Sequence, residues 1–193
     1  MKETEITVQV FNSIDEIKQM LMLKEFEILE EYNLNDFYFS KFSKQELNNF
    51  EYKDLLKNSF IVREVLDDNP KTLLIYKNKI VDENNIVISE EKIKIKVEDL
   101  NNILNIFEKI GLNCWCTLNQ NMIVYKKDNI KFTLQNVQGL GTFIECEEDN
   151  TMAMLNEYEK INLMLNNLKS LGFEMGSDYS CKKVYMKFKN GEN

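Results

Sequence analysis

Residues of alternating character dominate the chain, and they come in short runs separated by stretches of helical spacing. Residues 1–10 place Glu3, Glu5, Thr7 and Gln9 on one side and Ile6, Val8 and Val10 on the other, the period-two signature of a half-buried strand. Ser13 with Glu16 three residues later reads as a capping box, and Ile14, Ile17, Leu21 and Ile28 predict a helix reaching Tyr32. A short aromatic strand follows at Asn35 to Phe39. Residues 43–58, opened by Ser43 and Glu46, read as a short helix, and 59–65 and 72–77 as strands around a turn at Asn69-Pro70.

Residues 86–97 alternate again, with Lys92, Lys94 and Lys96 on one face and Ile93, Ile95 and Val97 on the other. Glu98-Asp99 opens a helix along Leu100, Ile103, Leu104 and Phe107 that closes at Gly111. Cys114 to Leu118 and Met122 to Lys126 are expected to form a hairpin. A strand from Asn129 to Val137, a turn at Gly139 and Gly141, and a strand carrying Phe143 to Glu147 predict a second one. Residues 151–170 predict an amphipathic helix ended by Gly172, and 178–189 a short strand or helix against the rest. No linker, repeat or low-complexity stretch divides residues 1–193, so a single domain is expected.

The strands share one property. One face is aliphatic and the other carries charges of both signs. An open antiparallel sheet would put that face in water. Closed into a barrel with the helices outside, it would turn the charges inward. The alternation fits either arrangement. Glu145 and Glu147 likewise admit two readings, a cation site built from carboxylates on one face of a strand or a solvent-facing hairpin.

Composition narrows the chemistry. The 193 residues are 44% hydrophobic and 29% charged, and the formal net charge of −8 argues against general binding to nucleic acid or to an anionic membrane. No apolar run is long enough to span a bilayer and no signal peptide is apparent, so a cytoplasmic protein is expected. The chain has no histidine, which excludes Ser-His-Asp and Cys-His catalysis and any mixed Cys/His zinc site. A general base must then be Asp, Glu, Lys, Tyr, Cys or metal-bound water. The spacing of Cys114, Cys116, Cys146 and Cys181 gives no zinc pattern and fits free thiols. Arg63 is the only arginine in a lysine-rich chain.

The opening Glu3-Thr4-Glu5 strand and the late stretch Val137-Gln138-Gly139-Leu140-Gly141-Thr142-Phe143-Ile144-Glu145-Cys146-Glu147 resemble the CYTH family, which includes class IV adenylate cyclases and thiamine and inorganic triphosphatases. Asp36 to Phe39, Ile61 to Arg63 and Thr72 to Lys77 are similar to further family strands. The resemblance implies an α+β fold, an antiparallel eight-stranded closed β-barrel with helices packed outside and a charged tunnel within. It implies a metal-dependent enzyme acting on a small-molecule triphosphate, by hydrolysis of a nucleoside, thiamine or inorganic triphosphate or by cyclisation of ATP to cAMP. Glu3, Glu5, Glu145 and Glu147 would hold Mg²⁺ or Mn²⁺, and Arg63, Lys77, Lys94 and Lys126 would bind phosphate. A monomer or homodimer is expected.

Three positions depart from the family pattern. Thr7 stands in place of a lysine, Ile61 in place of an arginine and Gln135 in place of an aspartate. They favour an alternative, a catalytically degenerate barrel that binds a nucleotide or polyphosphate without turnover. Lys94 is expected to offset the missing lysine at Thr7.

Overall fold

In the computed structural model, which describes residues 2–83, 86–180 and 182–191, the opening strand alternates as the sequence demands. It is broken only at Thr4, into β1 (Lys2–Glu3) and β2 (Glu5–Val10). The remaining strands are β3 (Glu27–Ser40), β4 (Phe60–Leu66), β5 (Lys71–Val81), β6 (Val87–Val97), β7 (Asn113–Lys127), β8 (Ile130–Val137) and β9 (Gly141–Glu147). Every pairing among them is antiparallel, in the order β1-β6-β5-β4-β3-β7-β8-β9-β2. The two ends of that order are the two halves of one opening strand. The eight strands therefore curl into a barrel in which residues 2–10 bridge both edges. β2 gives six paired positions to β9, whereas β1 gives only Lys2↔Glu91 and Glu3↔Glu90 to β6, so closure is partial.

The helices are α1 (Ile14–Leu23), α2 (Lys44–Leu47), α3 (Tyr52–Lys57), α4 (Leu100–Lys109), α5 (Glu157–Ser170) and α6 (Lys183–Lys189), with a 3₁₀ turn at Asn150–Met152. They cover the apolar outer face in two places. Ile17 and Leu21 of α1 and Ile161, Met164 and Leu168 of α5 pack on Ile6, Val8, Phe132 and Ile144. Phe107 of α4 packs on Phe39 and Val62. A third cluster joins inward residues Ile61, Ile75, Leu118, Val137 and Phe143 to Leu47, Leu55, Leu56, Val184 and Phe188 of α2, α3 and α6. These helices plug one end of the barrel with apolar side chains and leave the polar lining to the rest. Ile61 belongs to that plug and is 1% exposed. A charge there would lie against apolar neighbours.

Several boundaries differ from expectation. The first helix stops at Leu23, because Lys24 caps it and Glu25 takes a left-handed turn (φ 58°), after which the chain enters β3. Ile28 and Tyr32 are thus strand residues. Residues 43–58 form two short helices, not one. The hairpin expected over Cys114 to Lys126 is a single fifteen-residue strand, β7, held between β3 and β8 along its length. The helix expected from residue 151 begins at Glu157, with Asn156 and Glu159 forming its capping box. Cys181 lies outside the described residues; Cys114, Cys116 and Cys146 are free thiols. Among the described residues no helix is long and apolar enough to cross a membrane.

Candidate active site

One cavity in the barrel is lined by side chains from all eight strands: Glu5 and Thr7 of β2, Asp36, Arg63, Lys77 with Lys79, Lys92 with Lys94, Gln120, Gln135, and Glu145 with Glu147. Lys183 enters it from α6. Antiparallel register places these groups. Asp36 is opposite Arg63, Lys77 opposite Lys92, Lys79 opposite Glu90, Glu3 opposite Glu90, and Glu5 opposite Glu147. Three of these facing pairs, Lys77 with Lys92, Glu3 with Glu90 and Glu5 with Glu147, carry like charge, which is unfavourable in an ordinary sheet. The β5–β6 wall is thus cationic and the β2–β9 wall acidic.

Ion pairs across the interior reduce the conflict. Glu90, with a fully buried side chain, lies 3.3 Å from Lys77 and 2.8 Å from Lys92, and Lys79 bridges it to Glu5. Lys92 also contacts Glu3 and lies 3.6 Å from Glu5 and 3.7 Å from Glu147. Arg63 donates to both oxygens of Asp36 at 2.6 Å, and Gln120 donates to the same carboxylate at 3.4 Å. Lys183 donates to Gln135 and lies 3.4 Å from Glu145, which also accepts from Thr7 at 3.4 Å.

The ionisation of the lining follows from these contacts. Burial alone would push the Glu5 carboxyl up, but Lys77, Lys79 and Lys92 outweigh it and hold it well below the usual carboxylate range. The stability from that charge is present above about pH 4.3, the unfolded value, and is lost as pH falls through the lower folded value. Burial also opposes ionisation of Glu145, and Lys183 with Lys77 prevails over it. Glu147 is moved the other way, raised by desolvation and then by the neighbouring Glu145 charge. Lys94 is lowered by burial and by Lys92.

Two carboxylate groups are clustered closely enough to share a cation: Glu3 with Glu5 and Glu90, and Glu5 with Glu145 and Glu147. In each, one oxygen per residue lies within 4.8 Å of the others. The first already holds the Lys79 and Lys92 ammonium groups. The second has less compensation at Glu147, which lies 3.7 Å from Lys92 and is raised by desolvation and then by the Glu145 charge. A hard divalent cation bound through oxygen fits the second set.

Of the residues singled out from sequence, Glu5, Glu145, Glu147, Arg63, Lys77 and Lys94 come together in this cavity. Glu3 meets it through Lys92. Lys126 lies exposed near the end of β7 and is not among the lining residues. Glu90, Lys79, Lys92, Asp36 and Lys183 were not picked out as site residues. Extending the alternation two residues back from Lys92 and two forward from Lys77 would have found Glu90 and Lys79.

No family model matches the sequence. Over 98% of this chain and 99% of the relative, it is 25% identical to a Methanocaldococcus jannaschii protein named as a putative adenylate cyclase. Its fold is shared with a Pyrococcus horikoshii protein at TM-score 0.71 and 18% identity, covering 99% of both chains. It is also shared with a Hippeastrum protein described as a putative adenylyl cyclase with a dominant triphosphatase activity, at TM-score 0.62 and 17% identity, covering 99% of this chain and 97% of that one. The strand order, the charged interior and these full-length likenesses support the resemblance of the chain to the CYTH family.

Proposed function

We propose that the chain is a metal-dependent enzyme acting on a triphosphate held in the barrel. The observation that carries this reading is the meeting of two walls of opposite charge at one cavity, each built of like-charged neighbours, Lys77 with Lys92 and Glu5 with Glu147. A polyanion between them would satisfy the lysines, and a divalent cation would satisfy the carboxylates. The names of the Methanocaldococcus and Hippeastrum proteins support the same substrate class.

In this reading Lys77, Lys92 and Lys94 take phosphate oxygens as point charges, and Arg63, held by Asp36 through Nε and one terminal nitrogen, offers its remaining N–H donors. Glu5, Glu145 and Glu147 hold Mg²⁺ or Mn²⁺, which when bound neutralises charge on the phosphate chain and activates a coordinated oxygen. Lys183 and the apolar plug close one end and restrict water. With water as nucleophile, the terminal phosphorus–oxygen bond breaks and phosphate leaves. With a ribose 3′-hydroxyl, the α-phosphorus is attacked and pyrophosphate leaves.

Release of phosphate and pyrophosphate from tripolyphosphate, thiamine triphosphate and ATP, with Mg²⁺ or Mn²⁺, tests this directly. Metal-dependent release from at least one is expected, and none from any of them would refute the enzyme reading. Lys94 has no ion-pair partner among the described residues, so Lys94→Ala is expected to weaken tripolyphosphate binding several-fold, about 1 kcal/mol, without loss of stability. Unchanged affinity would remove Lys94 from the binding set. The second reading, binding without turnover, is favoured by the bidentate Asp36 hold on Arg63. A ligand-induced rise in melting temperature with no product would establish it.

A further inference from the structure

Lys77, Lys79, Lys92 and Lys94 line the tunnel, so Tyr76, Ile93 and Ile95, which alternate with them, point out of the barrel. Register sets the outward residues side by side. Phe60, Tyr76 and Ile93 form one row across β4, β5 and β6, and Val62, Leu74 and Ile95 form the next. α4 covers the β4 side of both rows. Its packing reaches Leu74, and the Phe107 ring lies 6.0 Å from that of Phe60. The β6 side is left open. Ile93 and Ile95, in the middle of a paired strand, are 58% and 56% exposed, and Phe60 is 40% exposed. Beside Phe107, α4 exposes Ile106 and Ile110 as well. β2, β8 and β9, by contrast, are buried under α1 and α5.

We propose that this face is the contact between two copies of the chain related by a two-fold axis. The proposal is independent of the triphosphate reading. Area carries it first. Phe60, Ile93, Ile95, Ile106 and Ile110 each expose on the order of 100 Å², so two copies can bury roughly 1,000 Å² of them, the lower bound of a specific interface. Charge carries it second. A two-fold contact sets one patch against the same patch, and in a chain of net charge −8 a patch sharing that charge would repel its twin. The two outward rows carry no charge. The first charged outward positions beyond them, Glu91 at one end and Glu64 at the other, are each held by an amide, from Asn78 at 3.3 Å and from Asn35 at 3.4 Å. Glu108 and Lys109 of α4 add one charge of each sign at the rim. The exposed apolar residues near the end of α1 differ, because Lys24, Glu25 and Glu27 interrupt Leu23 and Ile28.

Sedimentation equilibrium of the whole chain tests this. The wild type is expected to approach twice 22.9 kDa at about 100 μM. Ile93→Lys combined with Ile95→Lys is expected to weaken association at least about 100-fold, since the contact would then bring lysines of one copy onto those of the other. Both side chains are already exposed in the single chain, so the variant should fold, and circular dichroism melts of dilute samples check that it does. Ile93→Thr with Ile95→Thr keeps the branching at Cβ and serves if the lysine variant fails to fold; it is expected to weaken association about tenfold. Leu23→Lys, at an exposed apolar residue outside the patch, is expected to leave association unchanged. A wild type that stays at 22.9 kDa at about 100 μM would overturn the proposal. So would a mass that keeps growing past the dimer, a folded Ile93 and Ile95 variant that associates as the wild type does, or Leu23→Lys dissociating the dimer as strongly.

Discussion

Arg63→Ala is expected to destabilise the fold by about 3–5 kcal/mol, because it leaves a buried carboxylate without its counter-charge. Asp36 is 1% exposed and accepts both of its short hydrogen bonds from Arg63, leaving only the 3.4 Å contact from Gln120. Burial would by itself push the guanidinium down, and the Asp36 carboxylate reverses that and raises it. Urea unfolding would measure the loss. Adding Asp36→Asn should recover part of it, since a neutral amide needs no counter-charge. Arg63→Lys should not restore the wild type, because an ammonium cannot reproduce the two-pronged contact. A loss for Arg63→Ala below about 1 kcal/mol, the range of a solvated pair, would mean that the pair is not a buried structural one.

Glu5→Gln is the variant expected to separate chemistry from folding. Glu5 belongs to both carboxylate clusters and faces Glu147 across β2 and β9. Its two lysine neighbours keep Glu90 as a partner when Glu5 is neutralised, so the barrel is expected to persist. The cation set of Glu5, Glu145 and Glu147 loses a ligand charge. Turnover is therefore expected to fall at least about 100-fold, an effect comparable to removing one preorganised electrostatic contact from an active site. The rise in melting temperature with Mn²⁺ plus tripolyphosphate should shrink with it. Turnover within a few-fold of wild type, on a variant shown to be folded, would exclude Glu5 from the catalytic site.

Much of this arrangement was legible in the sequence where side-chain character alternates. The opening strand, both strands of the late hairpin and the charged face of β6 could all be read from period two. The Ser13–Glu16 and Ser43–Glu46 capping boxes form as the sequence indicates. What alternation does not encode is where a strand stops. β5 extends beyond the expected 72–77 to Val81, and Lys79 sits in that extension, whereas Glu90 lies within the expected run of β6, on the face that carries Lys92. The hairpin expected over Cys114 to Lys126 is one strand because the polar residues at its middle find partners within the sheet. In the barrel Gln120 faces the cavity and reaches Asp36, while Asn119 and Asn121 donate to Gln138 and Asn33. Lys183 left no periodic signal, since a seven-residue helix reaches the cavity only through the way the chain returns past Thr7. The departures at Thr7, Ile61 and Gln135 were legible as identities but not as contacts. Thr7 and Gln135 bond to tunnel side chains, and Ile61 joins the plug.

The central claim, that one wall of this barrel holds a divalent cation and the other a triphosphate, is tested most directly by a crystal structure with Mn²⁺ and tripolyphosphate, read by manganese anomalous scattering. The account predicts an anomalous peak among Glu5, Glu145 and Glu147, with phosphate density against Lys77, Lys92, Lys94 and Arg63. A peak elsewhere, or an occupied cation site with phosphate bound outside the barrel, would contradict it.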